Sequence, residues 1–272
     1  MTQLSVVVTT FNNEDTLRAC LDAVRWADEI VVLDSHSTDA TRGIAAEYTD
    51  RVPQHEFLGY SKQKQMAIDL ASHDWVLLLD ADEVVSPELQ TEIQQLMQSG
   101  PTADGYTLPR SEQLFWRMNH PACRMNHFLR LFDRRKGQMN DIPVHAAPVV
   151  EGRIERLQHV FYHFGETDID SKVHRLNWYS TGLVEDKVRR GKRANPWTCV
   201  FYPPLVFFKS FILKSNYRNG WAGFIGSACM AFYAFLKYAK LYEHEERQTY
   251  GDSLLPSAAP SRMTPHETKH AA

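Results

Sequence analysis

The sequence predicts an α/β protein built on a doubly wound, mostly parallel sheet, with a helical extension toward its C-terminus. Three observations predict it. Short apolar runs alternate with helix-period segments over about the first hundred residues, in the order βαβαβαβα, and that alternation specifies a parallel sheet with right-handed crossovers. One run, Val76-Leu77-Leu78-Leu79, is apolar at every position instead of every second one, as in a strand covered on both faces. Toward the end of the chain the composition shifts to two aromatic-rich stretches, WTCVFYPPLVFFKSFIL (197–213) and WAGFIGSACMAFYAFL (221–236).

The elements follow in order. Leu4–Val8 is a β-rich run that ends in Thr9-Thr10-Phe11-Asn12. After Asn13, Leu17, Cys20, Leu21 and Val24 fall at helical spacing, with Glu14 and Asp15 placed to complement the helix N-terminus. Glu29–Leu33 is the second strand, ending in DSHSTD (34–39), and Thr38 or Asp39 caps a helix through ATRGIAAEY (40–48). Arg51–Gln54 reads as a short third strand, and Gly59–Ala71 as a loop running into a helix. The Trp75–Leu79 strand comes next, then a helix from Pro87 to about Met97 with Ser86 as its cap. Residues 104–165 read as mixed strands and loops, and Asp170 to about Arg190 as a helix with Val173, Leu176, Trp178 or Tyr179, and Leu183 inward. The expected organisation is an α/β half at 1–100, a second half of the same domain at 101–193, an aromatic-rich helical extension at 194–250 and a disordered, proline-bearing tail at 251–272.

Composition narrows the classes. With 272 residues, 43% of them hydrophobic, the chain can bury a sizeable core. A net charge of −3 leaves no basic footprint for nucleic acid. Cys20, Cys123, Cys199 and Cys229 are far apart and form no CxxC pair, so they read as reduced thiols and not as a disulfide framework or zinc site. The first residues, MTQLSVVVTTF, read as a strand and not as a signal peptide. There is neither a GxGxxG fingerprint after the first strand nor a phosphate-binding GxxxxGK loop.

The strongest chemical signal is WVLLLDADE (75–83). Asp80, Asp82 and Glu83 stand at the C-terminal end of a buried strand, where open α/β sheets place ligand crevices. Crowded carboxylates suit a divalent cation carrying phosphate oxygens. A solvated turn before a helix is the plain alternative. TTFNN and DSHSTD put two further polar ends on the same edge, which makes a nucleotide-sized crevice the better account of all three.

Taken together, SVVVTTFNNEDTL, VVLDSHSTDAT, GYSKQKQMAID and WVLLLDADE stand in the order and spacing of glycosyltransferase family 2, the inverting transferases of the GT-A fold, and the chain resembles that family over about residues 1–100. RLFDRRKGQMNDIPVH (130–145), the segment around His163 and the aromatic C-terminal third further resemble the lipopolysaccharide inner-core β-1,4-glucosyltransferases that act on heptose. The resemblance implies an inverting hexose transfer from a UDP-sugar, with glucose expected, to a lipid-linked glycan. It places Thr9, Phe11 and Glu14 near the uridine, Asp34 on the uracil N–H with Asp39 close by, Lys62 and Lys64 over base and diphosphate, and Asp80 on ribose or metal. It makes Asp82 the ligand of a divalent cation, Mg²⁺ or Mn²⁺. His163 and His145 are further candidate ligands for metal or phosphate. The catalytic base should come from the second half, with Asp141 and Glu151 as candidates. The resembling proteins usually carry His-Glu where this chain has His145-Ala146, so the expected Glu is missing. Phe115, Trp116 and Arg110 either line an acceptor site or belong to ordinary core.

The two aromatic stretches read as too short to span a bilayer. Lys209, Lys214, Lys237 and Lys240 beside them suit anionic headgroups, which implies a peripheral protein at the cytoplasmic face of the bacterial inner membrane; packing as core or as a dimer interface is the alternative. A polyprenyl-phosphate glycosyltransferase and a non-catalytic scaffold with a degenerate transferase fold are the competing functional readings.

Overall fold

A computed structural model describes residues 1–140, 146–165 and 167–250, with side chains to Gln248. The chain forms two compact units, Met1–Ile169 and the residues from Asp170 onward. The tail expected at 251–272 lies outside the described residues.

The first unit begins β1 (Leu4–Thr10), α1 (Leu17–Asp22), β2 (Glu29–Asp34), α2 (Thr41–Ala46), α3 (Tyr60–Asp69), β3 (Trp75–Asp80), β4 (Glu83–Val85) and α4 (Pro87–Ser99). It continues with β5 (Gly105–Leu114), β6 (Arg117–Met118), β7 (Asn126–Asp133), β8 (Gly137–Met139), β9 (Pro148–Val150), β10 (Ile154–Arg156) and β11 (Phe161–His163). The main sheet runs β2-β1-β3-β7-β5-β11-β4. β2, β1 and β3 are parallel, β7 is antiparallel to both β3 and β5, and β11 is parallel to β5.

Side chains of β1, β2 and β3 alternate between two buried clusters. Val6, Val8, Val32, Leu77 and Leu79 join Leu17, Leu21, Ile44, Leu89 and Ile93 from α1, α2 and α4. Val7, Val31, Leu33, Val76 and Leu78 join Ala67 and Ile68 from α3 on the other face. Both faces are therefore covered, which is why these strands are apolar throughout and the sheet is doubly wound. Each fully buried Leu or Val contributes about 1.5–3 kcal/mol to that packing.

β4 was not foreseen, and it shapes the site. It follows β3 after only Ala81 and Asp82, yet it pairs with β11, with β7 and β5 lying between β11 and β3 in the sheet order. The sheet must curl back on itself to close that gap, and Asp82 stands at the corner. The expected strand at Arg51–Gln54 is instead an extended edge: its carbonyls accept from Val32 and Asp34, but only Asp34 and Gln54 form a bridge. Pro53 has no N–H to extend the ladder. α4 starts as expected, with Ser86 Oγ accepting from the Leu89 amide at 3.1 Å and Pro87 in the first turn.

The second unit holds α5 (Ile169–Arg189), α6 (Pro196–Phe208), a π turn (Lys209–Leu213), a 3₁₀ turn (Asn216–Asn219) and α7 (Gly220–Tyr250). α5 matches the helix expected from Asp170, with Leu176 buried but Val173 and Trp178 exposed.

Candidate active site

The three polar strand ends lie side by side. Thr10 pairs with Asp34 of β2, and Thr9 with Asp80 of β3, so Asp34 and Asp80 are separated by one intervening strand, about 10 Å. The loops after β1 and β2 are tied together: the Asn12 amide donates to Ser37, Asn12 Oδ1 accepts from the Thr38 amide at 2.8 Å, and the Asn13 amide donates to Thr41 at 2.7 Å. Asn12 and His36 are left-handed, with φ of 50° and 62°, which gives each loop its sharp turn away from the strand.

Asp34 is fully buried. Its carboxylate accepts from the Ser37 amide at 3.1 Å and from Gln54 Nε2 at 2.8 Å. Asp39 accepts from the amides of Glu14 and Thr41, and Glu14 in turn accepts from the Ala40 amide at 2.9 Å. Burial would raise the Asp39 carboxyl, but its bonds from Thr41 and Glu14 hold it below the usual carboxylate range. Phe11 is exposed at the rim. The structure thus brings Thr9, Phe11, Glu14, Asp34 and Asp39 to one edge.

At the β3 end the acids do not stand alone. Asp80 binds Lys64 Nζ of α3 at 2.5 Å and Arg130 of β7 at 3.1 Å. Arg130 also meets Glu83 at 2.5 Å, and Glu83 accepts from the Asp80 amide at 3.0 Å. Arg110 of β5 lies 3.5 Å from Glu83 and 2.7 Å from Glu112. Glu112 holds His163 Nδ1 at 2.7 Å, and His163 Nε2 lies 3.3 Å from Asp82. The result is a chain of alternating sign, Lys64–Asp80–Arg130–Glu83–Arg110–Glu112–His163–Asp82, in which four cations balance four carboxylates. Burial works against the Asp80 anion, but Lys64 and Arg130 outweigh it and hold the carboxyl far below its ordinary value. Burial alone would lower His163; its bonds with Asp82 and Glu112 carry it up to about 9.

His163 thus bridges two carboxylates, its Nδ1 facing Glu112 and its Nε2 facing Asp82. Gly165 makes this possible, since a Cβ there would come within 2.6 Å of the imidazole and 3.4 Å of Asp82. The Phe164 amide donates to the Asp82 carbonyl at 2.9 Å and fixes the corner.

No group of three or more His, Cys, Asp or Glu side chains among the described residues is arranged to hold a metal ion. The donor set nonetheless fits one kind of cation. Asp82 is partly exposed, and His163 is the one side chain described as pairing with it. A magnesium-like ion takes one or two carboxylates and fills the rest of its shell with water and phosphate oxygens. Asp82 suits that role, whereas Asp80 and Glu83 are committed to cations.

Of the four cations, Lys64, Arg110 and His163 are candidates from sequence, and Arg130 is not. Glu112 is likewise a site member that no sequence motif marks, and Arg110 pairs with Glu83 and Glu112. Phe115 is core, left-handed at φ 57°, while Trp116 at the β5–β6 turn is 64% exposed. Lys62 is exposed. Glu151 is not brought to this edge: its amide bonds Lys136, which pairs with Asp104, and Asp104 accepts from Asp133, the partner of Trp75. That is the opposite end of β3, about 17 Å away along the strand. Asp141 and His145 lie outside the described residues. The residues flanking them are fixed: Asn140 bonds Ala147 in both directions, and its carbonyl accepts from Ser61 of α3.

A curled α/β sheet with this polar edge fits a glycosyltransferase of the GT-A class. The family model described as glycosyl transferase family 2 matches residues 5–148, more than half of the chain, and the protein belongs to that family. It is 31% identical over 248 residues to the lipopolysaccharide core biosynthesis glycosyltransferase LpsC of Rhizobium meliloti, covering 88% of this chain and 92% of that protein. It is also 31% identical over 257 residues to an uncharacterized glycosyltransferase of Rickettsia felis, covering 89% and 90%. Among solved structures, S. aureus TarS 1–349 aligns over 91% of this chain and 92% of that one, with a TM-score of 0.44 and 16% identity.

Proposed function

We propose that this glycosyltransferase moves a hexose, glucose from UDP-glucose, with inversion onto a lipid-linked glycan, the heptose of a lipopolysaccharide inner core, at the cytoplasmic face of the bacterial inner membrane. The observation that carries the reading is the shared edge of Asp34, Asp80 and Asp82 in a family 2 chain. The relative LpsC, named for lipopolysaccharide core biosynthesis, supports the choice of acceptor.

In this reading Asp34 accepts from the uracil N–H, with Thr9, Phe11, Glu14 and Asp39 shaping the nucleoside end. Lys64 lies against Asp80, close enough to offset charge on a diphosphate. Asp82 holds a divalent cation, Mg²⁺ or Mn²⁺, which when bound neutralises charge on the leaving group. Inversion needs one in-line displacement: the acceptor oxygen bonds the anomeric carbon as the bond to UDP breaks, and the acceptor proton passes to a carboxylate on the opposite face. Asp141 is the proposed base, with Glu151 the other candidate.

The test is donor hydrolysis by purified protein across UDP-, GDP-, CMP- and dTDP-sugars, with Mg²⁺ or Mn²⁺ and then with EDTA. Release of UDP from UDP-glucose alone, abolished by EDTA, is the expected result. Absence of any nucleotide binding by calorimetry would sink the reading.

A further inference from the structure

The hairpin of α6 and α7 is built inside out for a protein surface in water. Pro196–Phe208 contains no charged residue, and none of its residues is buried. Trp197, Phe201, Leu205 and Phe208 form one exposed stripe, and Val200 and Tyr202 widen it. On α7, Trp221, Phe224, Phe232 and Phe235 likewise face outward, while Ala222, Ser227 and Ala234 are buried. The helices run antiparallel, since Ser210 meets Ser227 at 3.0 Å and Tyr202 meets Tyr238. At Gly223 a side chain would overlap the Asn216 carbonyl. Asn216 Nδ2 donates to Ser210 at 3.1 Å, adding a polar tie at the turn. A seam of small and hydroxyl residues with large apolar side chains outside is how helices pack in lipid, where no hydrophobic force drives large residues inward.

Charge and length point the same way. A helix lying on a membrane surface needs a charged outer face, and α6 has none. Residues 196–213 span about 27 Å at 1.5 Å per residue, close to the ~30 Å hydrocarbon thickness. Polar and aromatic residues stand at both ends. Lys214, Tyr217, Arg218 and Trp221 mark the turn; Lys187 and Lys237 lie over the rings of Tyr238 and Tyr202 at the other end. Lys187, Arg189, Arg190, Lys192, Arg193, Lys237 and Lys240 at the open end outnumber Lys214 and Arg218 at the turn together with Lys209 near the end of the span, which orients the open end toward the cytoplasm.

We propose that α6, its π turn and the first half of α7 form an integral hairpin that crosses the bilayer, with the turn at 214–219 on the far side. This replaces the surface contact expected from sequence. It rests on the membrane side of the proposed function and not on the transfer chemistry.

The experiment is fractionation of membranes from cells expressing the full chain. The protein should stay in the pellet through high salt and alkaline carbonate and leave only with detergent. Release by either wash overturns insertion; a protein pelleted at low salt and released by carbonate leaves the surface-bound transferase reading standing, whereas a fully soluble one defeats both. A Ser215→Cys variant supplies a second readout with a membrane-impermeant maleimide on intact spheroplasts. It should label from outside where the wild type, with Cys199 and Cys229 in the hairpin, does not. Failure to label the variant from outside overturns the crossing.

Discussion

Glu83 shows how tightly single residues are bound at this site. It is fully buried and holds Arg130, the Asp80 amide and, at 3.5 Å, Arg110. Glu83→Gln keeps the shape but leaves Arg130 short of a charge partner in the interior. Removing one partner of a buried pair costs about 3–5 kcal/mol, and chemical denaturation in detergent should read a loss of that size. Asp82 is different, because it is partly exposed and stabilises little. Asp82→Ala should leave circular dichroism unchanged and lower turnover by about 10²–10³-fold, the scale of one lost electrostatic contact in a transition state; full turnover would remove the proposed metal role. Asp133 gives the pH prediction. Hydrogen bonds from Arg135 hold its carboxyl below the usual range. The unfolded chain takes up a proton near pH 3.9 and the folded chain only lower down, so this stabilisation is complete above that value and fades as pH falls through the folded one. Denaturation of Asp133→Asn should show a shallower acid limb below about pH 4 than the wild type.

At the scale of elements, β3 was the most legible, because an unbroken apolar run has few other uses. Leu77 and Leu78 are both fully buried but belong to opposite clusters. Leu77→Ala and Leu78→Ala should therefore each cost about 2–5 kcal/mol by chemical denaturation. A sheet covered on one face would give one large and one negligible loss. β4 escaped notice for a physical reason: it is three residues long and owes its pairing with β11 to the curl of the sheet, which no local pattern encodes. Arg130 escaped for the same reason. Arg130 in FLRLFD sits in an otherwise apolar strand, and a buried arginine demands carboxylates; but those it found, Asp80 and Glu83, are 50 and 47 residues away in sequence.

At the scale of the molecule, the order βαβαβαβα, the crevice edge and the family were legible from local patterns and four ordered blocks. The curl, the alternation of charge and the side chains that fill the helical seam were not, since each depends on distant pairings. The chain divides into two units and both buried clusters of the sheet lie in the first, so global unfolding need not be a single transition. Leu77→Ala should move the transition of the first unit alone when followed by denaturant in detergent, and a uniform shift of all probes would show that the units unfold as one.

The eight-membered ion chain also limits how this site can change by substitution. Each interior member is shared by neighbours of opposite sign, so losing one strands the next, and a lone change carries a penalty unrelated to the reaction. Replacements that remove a cation and its anion together leave no such remainder. Couplings measured in double-mutant cycles should be large between adjacent members and fade along the chain. Related sequences that use different side chains here are then expected to differ in pairs, and a variant library built one position at a time would mostly sample misfolded corners instead of new specificities.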